Sequence, residues 1–95
     1  MAEVGDEREE VAHRLAELII EACDGEIGAR DLFGGQELRV LGVTSLARLR
    51  LLDMLEAEYD VVLELDDVAG QGVGLDSIVQ RVLRLSTRRA PEARP

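Results

Sequence analysis

Between Asp6 and Ala22 the apolar residues Val11, Leu15, Leu18, Ile19 and Ala22 recur at three- and four-residue steps, and Glu7, Glu10, Arg14, Glu17 and Glu21 fall on the opposite side. That spacing predicts an amphipathic α-helix. Asp6 is its expected N-cap and Gly25 its expected stop, with acids in the first turn where the helix dipole favours them. Residues 25–44 lose the period and hold glycines at 25, 28, 34, 35 and 42. They read as a long loop with short turns, pinned by Ile27, Leu32, Phe33, Leu38, Val40 and Leu41. So long an irregular segment is uncommon in a compact domain and is a mild pointer to function.

Periodicity returns at Ser45 and predicts a second helix to Tyr59, with Leu46, Leu49, Leu52, Leu55 and Tyr59 as its inward stripe. Leu51 and Met54 widen the apolar surface to one side, a flank that fits either core or a partner. Val61, Val62, Leu63 and Leu65 have strand-like character, but the chain offers no second strand to pair with them. They read as a connector into a short helix around Asp66–Ala69, which glycines at 70, 72 and 74 end. A last helix is expected over Asp76–Leu85, with Ile78, Val79, Val82 and Leu85 inward. The fold class is therefore all-α, a small four-helix bundle of three long helices and a short third one, with a long loop between helices one and two. The expected domain is 6–86, between a disordered lead at 1–5 and a disordered tail at 87–95.

Composition narrows the function. Ninety-five residues suit one small domain, with little room for a private active site. Residues 1–79 carry nineteen acids against six arginines, a surface that repels nucleic acid and anionic membranes; no nucleic-acid or membrane partner is expected. A single cysteine, Cys23, excludes an intrachain disulfide, and a single histidine, His13, leaves no metal-binding cluster with that cysteine. The acidic start is unlike a secretory or transit peptide, so a cytoplasmic location is expected.

The stretch Leu41-Gly42-Val43-Thr44-Ser45-Leu46 poses the central question. Thr44 or Ser45 could simply cap the second helix, since a hydroxyl there accepts bonds from unpaired backbone N–H groups. Neither has a glutamate or glutamine three residues on, so a capping box is absent. Alternatively, a serine at a helix N-terminus suits an attached phosphate, and Arg48, one turn along, could add a charge-assisted contact.

Those six residues resemble the signature Leu-Gly-x-(Asp/His)-Ser-Leu that opens the second helix of the acyl and peptidyl carrier proteins. The run from Leu51 to Val68 is similar to that family's second helix and following acidic segment, with Tyr59 in the aromatic place. Leu75–Leu85 is similar to its fourth helix, and the resemblance spans roughly residues 7–86. It implies a phosphopantetheine-binding carrier that catalyses nothing itself. A phosphopantetheinyl transferase would attach 4′-phosphopantetheine from coenzyme A to Ser45, with Thr44, Leu46 and Arg48 around the attachment point. The cargo would be an acyl or aminoacyl thioester. Leu46, Leu51 and Met54 would face the partner or cargo, and Glu56, Glu58, Asp66 and Asp67 would steer basic partners. The implied partners are an acyltransferase, a ketosynthase or an adenylating enzyme. A free-standing, monomeric carrier is expected, in polyketide or nonribosomal-peptide biosynthesis.

The match has departures. Thr44 stands where the family has an acid or histidine, and Arg48 and Arg50 replace acids typical of fatty-acid carriers, which puts docking to fatty-acid synthase enzymes in doubt. Ser77, in Gly74–Ile78, also precedes an apolar residue, but eighteen residues after it cannot supply two further helices. It reads as part of the last helix's first turn. Cys23 reads as an inert thiol, His13 as a helix-flank residue, and Glu64, Asp66 and Asp67 as a solvated surface lacking the spacing of a calcium loop. Two rival classes remain at this point: an unmodified helical interaction module using the Leu51/Met54 flank, and a small enzyme built on Cys23 and His13.

Overall fold

The computed structural model describes the backbone of residues 3–93 and the side chains of 7–68 and 70–86. Five helices follow in order: α1 (Glu3–Ala22), α2 (Ala29–Phe33), α3 (Ser45–Tyr59), α4 (Leu65–Ala69) and α5 (Leu75–Ala93). There are no strands among the described residues; the only sheet-like pairing is one isolated antiparallel bridge between Glu37 and Gly74. The Cα radius of gyration, 13.1 Å, is close to the roughly 13 Å of a 100-residue globule, so the helices close on one core.

α1 buries Leu15, Ala16, Leu18, Ile19 and Ala22, the stripe its period predicts, with Val11 packed at the edge. It ends in a Schellman motif. Asp24 N–H donates to Glu21 O at 3.0 Å and Gly25 N–H to Ile20 O at 2.9 Å. The left-handed turn falls on both Asp24 (φ 57°) and Gly25 (φ 79°), so the expected stop is made by a pair.

α3 has the predicted limits, and its inward face keeps Leu55 with Leu52 and Tyr59 packed beside it but differs at its N-terminal half. Ala47, Leu51 and Leu55 are buried, while Leu46 is 64% and Leu49 52% exposed. The helix carries leucines on three sides, so its period is legible while its phase is not. The small Ala47, which sequence reading left out of the core, lies in the buried row. Leu51, expected on a partner-facing flank, is 1% exposed and belongs to the core; Met54 is half-buried against it.

α1 and α3 run antiparallel. Arg14, midway along α1, holds Glu58 near the end of α3 through two bonds, Nε to Oε2 at 3.0 Å and Nη2 to Oε1 at 3.1 Å. Arg50, near the start of α3, donates to the Ala22 carbonyl at 3.3 Å and to Asp24 Oδ1 at 3.2 Å. The hydrogen bonds from Arg14 hold the Glu58 carboxyl below the usual glutamate range. These ion pairs are exposed and fix register more than they add stability.

The loop between α1 and α3 is ordered by burial of Ile27, Leu32, Leu38 and Val43. Of the expected pins, Phe33 (47%) and Val40 (64%) face solvent instead. The loop is also tied across the molecule. Leu38 N–H donates to Val73 O at 2.9 Å, and Gly74 lies so close that a β-carbon there would sit 3.0 Å from Gln36 O. Between α3 and α4, Val61 and Leu63 are buried and Val62 is exposed along the expected connector.

The first and last helices run past their expected limits. Backbone 3–5 belongs to α1, so Asp6 lies inside the helix and is not its cap; α5 continues past Leu85 to Ala93. No glycine interrupts 75–93, and proline enters only at 91, so nothing in the local sequence stops the helix at Ser86. The remaining positions of the expected lead and tail, 1–2 and 94–95, lie outside the described residues.

Candidate functional site

The approach to Ser45 is built by a one-turn coil. Leu41 N–H donates to Glu37 O at 3.1 Å, Gly42 N–H to Arg39 O at 3.3 Å and Val43 N–H to Leu38 O at 3.3 Å. The last two bonds are a second Schellman closure, with Gly42 at φ 92° in the left-handed position that glycine takes without strain. The reversal buries Val43 and delivers Thr44 to the start of α3.

Thr44 takes the cap. Its backbone is extended (φ −76°, ψ 169°), its Oγ1 accepts from Ala47 N–H at 3.1 Å, and its carbonyl accepts from Arg48 N–H at 2.9 Å. Ser45 is therefore the first residue of a fifteen-residue helix and is solvent-exposed. Its hydroxyl makes no hydrogen bond among the described residues. Replacing Thr44 with alanine is expected to lower the denaturant midpoint, at a cost of about 1 kcal/mol, whereas Thr44→Ser should stay near wild type.

The other predicted site residues divide. Leu46 is exposed beside Ser45. Arg48 lies one turn along, half-buried, with its Nε shielded from solvent and without a partner. Glu56 and Asp66 are exposed. Glu58 and Asp67, expected to steer partners, are engaged within the fold. Glu58 binds Arg14; Asp67 Oδ2 accepts from Glu64 N–H at 2.9 Å at the start of α4, and its Oδ1 accepts from Arg81 at 3.0 Å. These long-range partners, 44 and 14 residues away, had no signal in the local sequence. Ser77 is exposed inside the first turn of α5.

A cleft of about 230 Å³ opens beside Ser45, where the end of α1 and the following loop meet α3. Thr44 and Leu46, the neighbours of Ser45 on either side, both line it, as do Cys23, Glu26, Ile27 and Arg50. Sequence reading missed this cleft, because it joins residues about twenty positions apart. Burial, with help from Asp24 and Glu26, pushes the Cys23 thiol up, away from the reactive thiolate. His13 is exposed on α1, its ring 5.0 Å from that of Phe33, and it does not line the cleft that holds Cys23.

Among the described residues, no group of three or more potential ligands could hold a metal ion, and no helix is long and apolar enough to cross a membrane. Comparison with protein-family models, with curated proteins and with solved structures finds no match to the chain. What stands is a small helical bundle with an exposed, unengaged serine at the head of its central helix.

Proposed function

We propose that the chain is a carrier protein that holds acyl or aminoacyl groups on a 4′-phosphopantetheine arm joined to Ser45, in polyketide- or nonribosomal-peptide-type biosynthesis. The observation that carries this reading is the division of labour at the head of α3: Thr44 caps the helix, which leaves the Ser45 hydroxyl exposed and unbonded.

The residues present fit the group. The first-turn N–H groups and the helix dipole favour a phosphodiester at this position. Arg48 makes no ion pair among the described residues and sits one turn along, where its guanidinium complements phosphate charge. For attachment, Ser45 Oγ loses its proton and bonds to the phosphorus that carries the pantetheine. The phosphoanhydride of coenzyme A breaks, and adenosine bisphosphate leaves. That transfer belongs to a partner phosphopantetheinyl transferase, and this chain supplies the nucleophile and its surroundings. When bound, the arm supplies a thiol on which cargo is held as a thioester. Tethering raises the cargo's local concentration at each partner's active site. Leu46 and Leu49 provide an exposed apolar contact at the site, with Asp53 and Glu56 exposed further along α3. An acyltransferase, a ketosynthase or an adenylating enzyme with an apolar seat and a basic rim complements that surface.

The test is intact-mass analysis after incubation with coenzyme A and a broad-specificity transferase. Gain of one phosphopantetheine supports the carrier; an unchanged mass overturns it. The exposure of Leu46 and Leu49 also favours a second reading, an unmodified helical interaction module, which the unchanged mass would support.

A further inference from the structure

We propose that the cleft between the end of α1 and the head of α3 is a pocket for the cargo's end, and that it selects a short acyl group bearing an ammonium over one bearing a carboxylate. The proposal rests on the carrier reading and specifies its substrate class.

Position comes first. Because both neighbours of Ser45 line the cleft, a flexible group attached there can fold back into it. Size comes next. A volume of about 230 Å³ is below the roughly 300–1,000 Å³ of pockets that take drug-sized ligands, so it suits a cargo of a few heavy atoms. Ile27 and Leu41 supply apolar wall, enough for a short carbon stem.

Charge makes the selection. Asp24, Glu26 and Arg50 are the ionised groups on the wall. Arg50 is already engaged by Asp24 and by the Ala22 carbonyl, so those two charges largely answer each other. The Glu26 carboxylate makes no hydrogen bond or ion pair among the described residues, which leaves one carboxylate to face an occupant. An ammonium gains from that charge and a second carboxylate is repelled by it.

The experiment loads Ser45 with three pantetheine arms in which an amide replaces the thioester, ending in glycyl, acetyl or malonyl groups. Backbone amide resonances of Cys23, Glu26 and Ile27 are then compared in the wild type and in Glu26→Gln. The glycyl arm is expected to shift these resonances most and the malonyl arm least. Glu26→Gln should cut the glycyl excess over acetyl by about twofold to fivefold, the scale of a screened exposed charge pair. Equal shifts from the three arms, or a glycyl excess that survives Glu26→Gln, overturn this pocket while leaving the carrier reading intact. Failure of any arm to attach to the folded wild type overturns the carrier reading, and this inference with it.

Discussion

Ser45→Ala is expected to remove all phosphopantetheine attachment while leaving the fold intact. Position 45 is the first residue of α3, it is exposed, and its hydroxyl engages nothing among the described residues. Alanine is the best helix former and loses no cap here, because Thr44 provides it. The variant should therefore unfold within about 0.5 kcal/mol of wild type. Its mass should be unchanged after treatment with transferase and coenzyme A. An arm that still attaches would move the site elsewhere, with Ser77 the next residue to replace. The double reading, mass and denaturant midpoint on the same sample, separates loss of the nucleophile from loss of the fold.

The second large effect lies in α3 itself. Leu51→Ala is expected to cost about 2–5 kcal/mol, because Leu51 is 1% exposed and its truncation leaves a cavity that its neighbours close only in part. A small domain is held by roughly 5–15 kcal/mol in all, so this variant should lose much of its stability to urea. Leu46→Ala, at 64% exposure, should change stability by no more than about 0.5 kcal/mol. If the two leucines were placed as their spacing alone suggests, with Leu46 inward and Leu51 outward, the order would reverse. Urea unfolding of the pair therefore reads the rotation of α3 directly.

That contrast also shows what local pattern can and cannot specify. The limits of α3 were legible because a threonine–serine pair opens it and its apolar period stops at Tyr59. Its rotation was not, because leucines at 46, 49, 51, 52 and 55 satisfy more than one choice of inward face. Packing against α1 makes the choice, and it enlists Ala47, which hydrophobic pattern reading passes over. The one-turn helix α2 was legible only as a possible turn within a glycine-rich loop; its single buried leucine, Leu32, anchors it to the core. At the site, the candidate serine and its cap were both readable from the sequence, but the assignment of roles between Thr44 and Ser45 needed the backbone path through Gly42. The engagement of Glu58 by Arg14 and of Asp67 by Arg81 depends on folds of the chain that no local window contains.

The turn before α3 has a mechanical consequence. Leu38 is clamped at both ends of its backbone: its N–H donates to Val73 O, and its carbonyl receives the N–H groups of Leu41 and of Val43, the latter being the residue before the cap. The head of α3 is thereby moored to the segment leading into α5 as well as to its own helix. On the carrier reading, an arm at Ser45 would hang from an anchor tied down by these backbone hydrogen bonds, and its reach would be set by its own length.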